Sequence, residues 1–127
     1  MVRFVSTRDK NGPSCSVSEA LLKGLAPDGG LYVPSTMPQR PSDFTLKEGV
    51  SYAMYQAIKP FFEGDELEGD LLQICQDAFN FPVPMKNLGG NKVLLELIYG
   101  PTSAFKDFGA RFLAFSMEKL LERRGEE

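Results

Sequence analysis

Apolar positions recur along this chain at helical and strand spacings, and turn-forming clusters mark where one gives way to the next. Val2, Phe4 and Val5 predict a short strand over residues 2–6. Ser16 and Glu19 stand in capping-box spacing ahead of Ala20, Leu21 and Leu22, so a short helix is predicted that Gly24 can end. Ala26-Pro27-Asp28-Gly29-Gly30 is a strong turn signal feeding a strand at Leu31, Tyr32 and Val33. Pro34, Pro38 and Pro41 then punctuate a loop. Over residues 46–62, Leu46, Val50, Ala53, Met54, Ala57, Ile58 and Phe61 recur at helical spacing, with Pro60 expected to end or bend the helix. After the break at Gly64-Asp65-Glu66, a second helix over residues 69–80 carries Leu71, Leu72, Cys75, Ala78 and Phe79 on one side. Cys75 there reads as a small buried apolar residue.

Residues 81–85, Phe-Pro-Val-Pro-Met, predict an irregular crossing segment, and residues 92–98 a strand apolar enough to be buried on both faces. A long helical pattern follows to the C-terminus. Neither internal repeats nor low-complexity segments occur. The expected boundary lies near Phe81, giving one unit over residues 1–80 and a second over 81–127. The first is a small α+β unit of helices on a small sheet. The second is a strand, loop and helix, the start of an α/β layer. Such a unit without a following parallel strand lacks most of its sheet partners, so the chain is expected to be the N-terminal part of something larger.

Composition narrows the chemistry. The 127 residues are 43% hydrophobic and 24% charged, too apolar for disorder. A net charge of −3 argues against a nucleic-acid or anionic-membrane surface. Two cysteines, Cys15 and Cys75, form no disulfide framework and no zinc quartet, so a cytoplasmic location is expected, and no stretch has membrane-spanning length. Histidine is absent, which removes Ser-His and Cys-His nucleophile pairs and any histidine-ligated metal. What remains is lysine, carboxylates, hydroxyls or a bound cofactor.

Lys106 is the candidate. With Thr102 or Ser103 as N-cap, the last helix is predicted over residues 104–123. At about 100° per residue it has three faces. Asp107, Arg111, Glu118 and Glu122 form a solvated face, with Asp107 and Arg111 as an i,i+4 pair. Phe105, Phe108, Phe112 and Phe115 form an aromatic one, with Phe112 and Phe115 as core. Gly109, Ala110, Leu113, Met117 and Leu120 share the third with Lys106. A lysine near the positive end of a helix dipole and partly desolvated is expected to have a lowered pKa, and the neutral amine is the form that makes a Schiff base. Gly109 and Ala110 leave room for a flat ligand, and the Gly100-Pro101-Thr102-Ser103 loop supplies two hydroxyls.

The run Gly100-Pro101-Thr102-Ser103-Ala104-Phe105-Lys106-Asp107-Phe108-Gly109-Ala110-Arg111-Phe112 resembles the pyridoxal-phosphate attachment segment of the bacterial and fungal threonine synthase family. Phe4 to Arg8, Gly24 to Pro34 and Ala78 to Pro82 resemble that family's N-terminal portion in the same order, so the likeness covers nearly the whole chain. It implies the N-terminal domain of a fold type II pyridoxal-phosphate enzyme, α/β as a whole. It implies that Lys106 binds pyridoxal phosphate as a Schiff base, that Phe105 flanks the cofactor ring, and that Thr102 and Ser103 meet the substrate. The implied reaction turns O-phospho-L-homoserine and water into L-threonine and phosphate. No metal is implied. Two departures stand out. Tyr99 occupies a position where many relatives carry histidine. The family's glycine-rich loop for the cofactor phosphate is also missing, since Gly89-Gly90 alone is too little.

The chain alone is therefore expected to be inactive, to bind cofactor weakly or not at all, and to self-associate through exposed apolar surface. Two other readings remain open: a threonine synthase-like phospho-lyase or dehydratase of the same superfamily, and a non-catalytic interaction domain.

Overall fold

The computed structural model describes residues 1–39 and 41–125. The elements run β1 (Phe4–Ser6), α1 (Val17–Lys23), β2 (Tyr32–Pro34), α2 (Val50–Phe62), α3 (Leu71–Ala78), β3 (Met85–Gly89), β4 (Lys92–Leu95) and α4 (Lys106–Arg124). This is a small α+β arrangement with two separate antiparallel strand pairs among the described residues. Arg40, in the Pro-punctuated loop, and Glu126 and Glu127, at the end of the expected second unit, lie outside them.

The N-terminal third follows its local signals. Phe4 pairs with Pro34 and Ser6 with Tyr32 across β1 and β2. The capping box closes both ways, with the Glu19 amide donating to Ser16 Oγ at 3.1 Å and the Ser16 amide to Glu19 Oε2 at 2.9 Å. Gly24, at φ 70°, ends α1 with its amide on the Ala20 carbonyl. In the turn, Asp28 Oδ1 accepts from Ser6 Oγ at 2.7 Å and from the Gly30 amide at 2.8 Å, which fastens it to β1.

Helix α2 starts at Val50, later than its apolar spacing suggests. Gly49 takes φ 89° there, and Gln56 binds the Thr45 amide and carbonyl, holding that segment outside the helix. Pro60 does not end α2. It falls in the last turn, where the missing amide costs a single bond and Gly64 stops the helix anyway. Helix α3 is shorter at both ends than its pattern.

The core is helical. Phe62 of α2, Leu67, the α3 residues Leu71, Ile74, Cys75 and Ala78, Phe79 just beyond, and Leu120 of α4 are buried together against Val17 of α1. Burial pushes the Cys75 thiol up to about 12, so it is a packing group. Asp65 joins α1 to the α2–α3 connection, accepting from the Ser18 hydroxyl, from the Ser18 amide at 3.2 Å and from the Leu67 amide at 3.0 Å. Phe112 stacks on Phe79 and meets Phe62 edge-on, and Phe115 packs against the same core, as the aromatic face predicts.

Three expectations for the second half fail. Arg111 does not sit on a solvated face paired with Asp107. Its guanidinium donates to the carbonyls of Ala78 at 2.8 Å and Asp77 at 2.7 Å and to Asn80 Oδ1 at 3.1 Å. The unsatisfied carbonyls ending α3 claim it. Asp107 is itself buried, for the reason given below. Nor is the Lys92 strand buried on both faces. It stops at Leu95, every residue of it is exposed, and it pairs antiparallel with β3, whose first residue, Met85, belongs to the predicted irregular crossing. Gly90 and Asn91 make the reversal, with φ 56° and 61°, the left-handed pair that a two-residue hairpin turn requires.

Candidate lysine site and family membership

Helix α4 opens on Lys106, and how it opens defines the site. Neither Thr102 nor Ser103 is the N-cap. Phe105 holds that position and contributes no side-chain cap. Two tight turns lead in, with the Ser103 amide on the Gly100 carbonyl at 3.0 Å and the Asp107 amide on the Ala104 carbonyl at 3.1 Å. Between them Ser103 takes φ 57°, a left-handed conformation that costs a non-glycine residue roughly 1–3 kcal/mol.

The polarity of the cap is reversed from expectation. A hydroxyl in the loop was to accept from the helix; instead a helix carboxylate accepts from the loop. Asp107 Oδ2 takes the Thr102 amide at 2.9 Å and Oδ1 the Thr102 hydroxyl at 2.8 Å. This draws Asp107 inward to 5% exposure. Burial alone would raise its pKa, but the Thr102 hydroxyl, the Thr102 and Ala104 backbone and Arg111 together outweigh that and hold the carboxyl below its ordinary range. Gly100 completes the fit, because a Cβ there would collide with the Asp107 side chain.

Lys106 is exposed, contrary to the partial desolvation its wheel position suggests. Its neighbours on that face explain why: Gly109 and Ala110 are too small to cover it, and both are exposed. A Cβ built on Gly109 would meet no atom within 4 Å, so the helix backbone is bare there. The Phe105 ring, 67% exposed, lies 5.7 Å from Phe108, which stacks in turn on Phe79. Ser103 is exposed on the loop. In the segment that leads from the hairpin to this loop, Lys86 and Glu96 pair at 2.6 Å, and the Tyr99 hydroxyl donates to Glu96 at 3.2 Å. The hydrogen bond from Lys86 holds the Glu96 carboxyl below its ordinary range.

The four residues singled out from the sequence, Thr102, Ser103, Phe105 and Lys106, thus share one exposed loop and helix start. Sequence reasoning missed Asp107 and Gly100. The available signal was an acid in the first turn of a helix behind a Gly-Pro turn, where a carboxylate is favoured by the helix's free amides.

Residues 3–79 match the family described as threonine synthase N terminus. That is more than half of the 127-residue chain. The chain belongs to the threonine synthase family. The threonine synthase of Pseudomonas aeruginosa is 35% identical over 98% of this chain. Among solved structures, pyridoxal-phosphate-bound threonine synthase from Brucella melitensis superposes over the whole chain with a TM-score of 0.87 at 34% identity, covering 29% of that protein. The yeast threonine synthase superposes over 96% of the chain with a TM-score of 0.75 at 28% identity. The chain spans 28% of the Pseudomonas relative's length. The chain is a helical body with Lys106 on an exposed loop and helix start. Among the described residues no helix is long and apolar enough to cross a membrane, and no group of side chains could hold a metal ion.

Proposed function

We propose that this chain acts as the N-terminal part of a threonine synthase, which as a whole converts O-phospho-L-homoserine and water to L-threonine and phosphate. The observation that carries this reading is an exposed primary amine, Lys106, opening a helix beside an exposed aromatic ring, in a chain similar to threonine synthases over nearly all its length.

The residues present fit pyridoxal phosphate in part. Lys106 supplies the nucleophilic amine for covalent attachment, Phe105 a flat apolar ring, and Gly109 a bare stretch of helix. A cradle for the cofactor's phosphate is another matter, since no glycine-rich loop opens a helix among the described residues. We therefore assign the anchor to this chain and the phosphate cradle to other parts of the whole enzyme. By itself the chain binds the cofactor weakly and is inactive. When bound, the cofactor ring supplies an electron sink for charge developing on the substrate.

The chain's own contribution is positional and acid–base. Lys106 would hold the cofactor, and its amine would carry protons to and from the substrate's carbons in a reaction that releases phosphate and adds water. Phe105 would pack beside the cofactor ring. Thr102 and Ser103 are the substrate-facing hydroxyls. Because Thr102 already donates to Asp107, it offers the substrate only lone pairs, and Ser103 is the better donor for an anionic group.

We further propose the division into units at residues 1–80 and 81–127, supported by the family match ending at residue 79. A cytoplasmic setting agrees with two free buried thiols. Exposed Leu88, Val93 and Leu95 of the hairpin favour self-association of the isolated chain.

The test uses the whole enzyme. It is loaded with pyridoxal phosphate, reduced with borohydride and mapped by peptide mass, with label expected at Lys106. Phosphate release is then compared for phosphohomoserine and phosphothreonine. Label on another lysine refutes the anchor, and preference for phosphothreonine refutes the reaction.

A further inference from the structure

We propose that Asp107 is a positioning residue for Lys106: its carboxylate ties the Gly100–Phe105 loop onto the first turn of α4 and thereby sets where the Lys106 side chain begins. The inference rests on the reading of Lys106 as the cofactor's anchor.

The geometry is local. Lys106 is the first residue of α4, the point where a helix normally frays, and Phe105 before it contributes no side-chain cap. What holds this end is the residue directly after the lysine. Asp107 accepts both the amide and the hydroxyl of Thr102, at 2.9 and 2.8 Å, so one carboxylate spans the two turns on which Lys106 is reached. The fit leaves no slack. Gly100 is buried against the same side chain and admits no Cβ, and Ser103 is held left-handed between the two turns. A non-glycine residue keeps that conformation only where its surroundings impose it, and the Asp107–Thr102 pair supplies that constraint.

Burial separates the two neighbours in a telling way. Asp107 is buried while Lys106, one position earlier, is exposed. The carboxylate faces inward to fasten the backbone, and the amine extends outward from the fastened point. An amine that must meet an aldehyde carbon, and later substrate protons, gains from a fixed origin, since misplacement by about 1 Å can cost on the order of 100-fold in rate. The carboxylate needs no contact with cofactor or substrate for this. A weaker account, in which Asp107 only complements the dipole of α4, leaves the two specific bonds to Thr102 and the bare Gly100 without a role.

The experiment compares Asp107→Asn, Thr102→Val and Thr102→Ser in the whole enzyme stripped of cofactor. The rate at which Lys106 captures added pyridoxal phosphate is followed by borohydride trapping and peptide mapping, with melting temperature recorded alongside. Asp107→Asn and Thr102→Val are expected to slow capture at Lys106 roughly tenfold or more. Thr102→Ser, which keeps the hydroxyl, is slowed less than Thr102→Val at a similar melting temperature. The double variant Asp107→Asn/Thr102→Val is expected to be little slower than Asp107→Asn alone, because both break one link.

A purely structural role would make capture follow the melting temperature and would not separate serine from valine; that result overturns the inference. Should Asp107→Asn fail to fold, the serine–valine comparison decides alone. Label at Lys106 with unchanged capture rates overturns the inference and leaves the anchor standing. Label at another lysine in the unsubstituted enzyme removes the anchor, and the inference with it.

Discussion

The helical body and the segment from Met85 to Lys106 obey opposite rules. In the body, Leu67, Leu71, Ile74, Cys75 and Leu120 are all essentially without solvent contact, and aromatic rings interlock from α2 to α4. In the segment, all residues of both hairpin strands are exposed, and so is the run from Pro101 to Lys106. An apolar cleft of about 430 Å3, lined by Val50, Met54, Val83, Met85 and Leu95, lies where the hairpin meets α2. The first region holds itself together by burial. The second is shaped by backbone signals and a few polar bonds: a left-handed turn, an ion pair at Glu96 and the Asp107 clasp. A two-stranded hairpin without a buried face is marginal by itself. The difference teaches that burial organises one region while turns and polar bonds organise the other, with α4 running from the exposed loop at Lys106 into the helical core at Leu120.

The contrast is broken most severely by truncating each side. Leu71→Ala is expected to cost about 2–5 kcal/mol, since Leu71 has 0% exposure. Leu94→Ala in the hairpin, at 46% exposure, is expected to cost under about 0.5 kcal/mol. Urea unfolding of both variants checks the pair, and equal losses would mean that the hairpin belongs to the core. Reaction of Cys75 with a thiol reagent offers a second probe, because that buried thiol becomes available only when the body opens.

A smaller effect is expected at the joint. Gly100→Ala places a Cβ against Asp107, and the shift it forces is expected to cost about 1–3 kcal/mol. The local signature would be faster proteolysis in the Gly100–Lys106 loop while Cys75 stays protected.

Acid tests the joint without mutation. The Asp107 carboxyl lies below its ordinary range in the folded state despite burial, because Thr102 and the Ala104 backbone stabilise the charged form. A depressed carboxyl stabilises the fold above its unfolded pKa, about 4, and that contribution is lost as pH falls through the folded value. Glu19, depressed by its bond from the Ser16 amide, and Asp28, depressed by Ser6, act in the same direction in the N-terminal third. Melting temperature is therefore expected to drop below about pH 4. Asp107→Asn is expected to flatten that drop, and an unchanged acid profile in the variant would count against the clasp.

The smallest change is expected at Ser116, buried in α4 with a hydroxyl that finds no partner among the described residues. Ser116→Ala removes an unsatisfied group and is expected to be neutral or stabilising by roughly 1 kcal/mol. A clear loss of stability by calorimetry would show that the hydroxyl does have a partner.

Much of this was legible without coordinates. The capping box at Ser16 and Glu19, the Gly24 stop and the Asp28-Gly29-Gly30 turn are local patterns, and each formed as its pattern predicts, while α3 buries Leu71, Cys75 and Ala78 as expected but Ile74 in place of Leu72. The Lys106 segment was also legible, because its residues follow one another in the chain. The hairpin is not among the expected elements although Gly90-Asn91 is a recognisable two-residue turn, because the prolines at 82 and 84 predict irregular structure up to Met85. The helical wheel gave Lys106 the right face but the wrong environment. A wheel ranks residues by angle and cannot know that small neighbours leave a side chain uncovered.

Sequence alone determined the helices, the N-terminal strands, the candidate amine and the likeness to one family, because caps, turns and motifs act over a few residues. Tertiary structure decided the partners of Asp107 and Arg111. On the wheel the two share a polar face and pair with each other. In the fold Arg111 goes to the carbonyls at the end of α3, more than thirty residues away, and Asp107 turns inward to Thr102. Which unsatisfied backbone groups lie within reach of a charged side chain depends on how helices pack, and no local pattern carries that information.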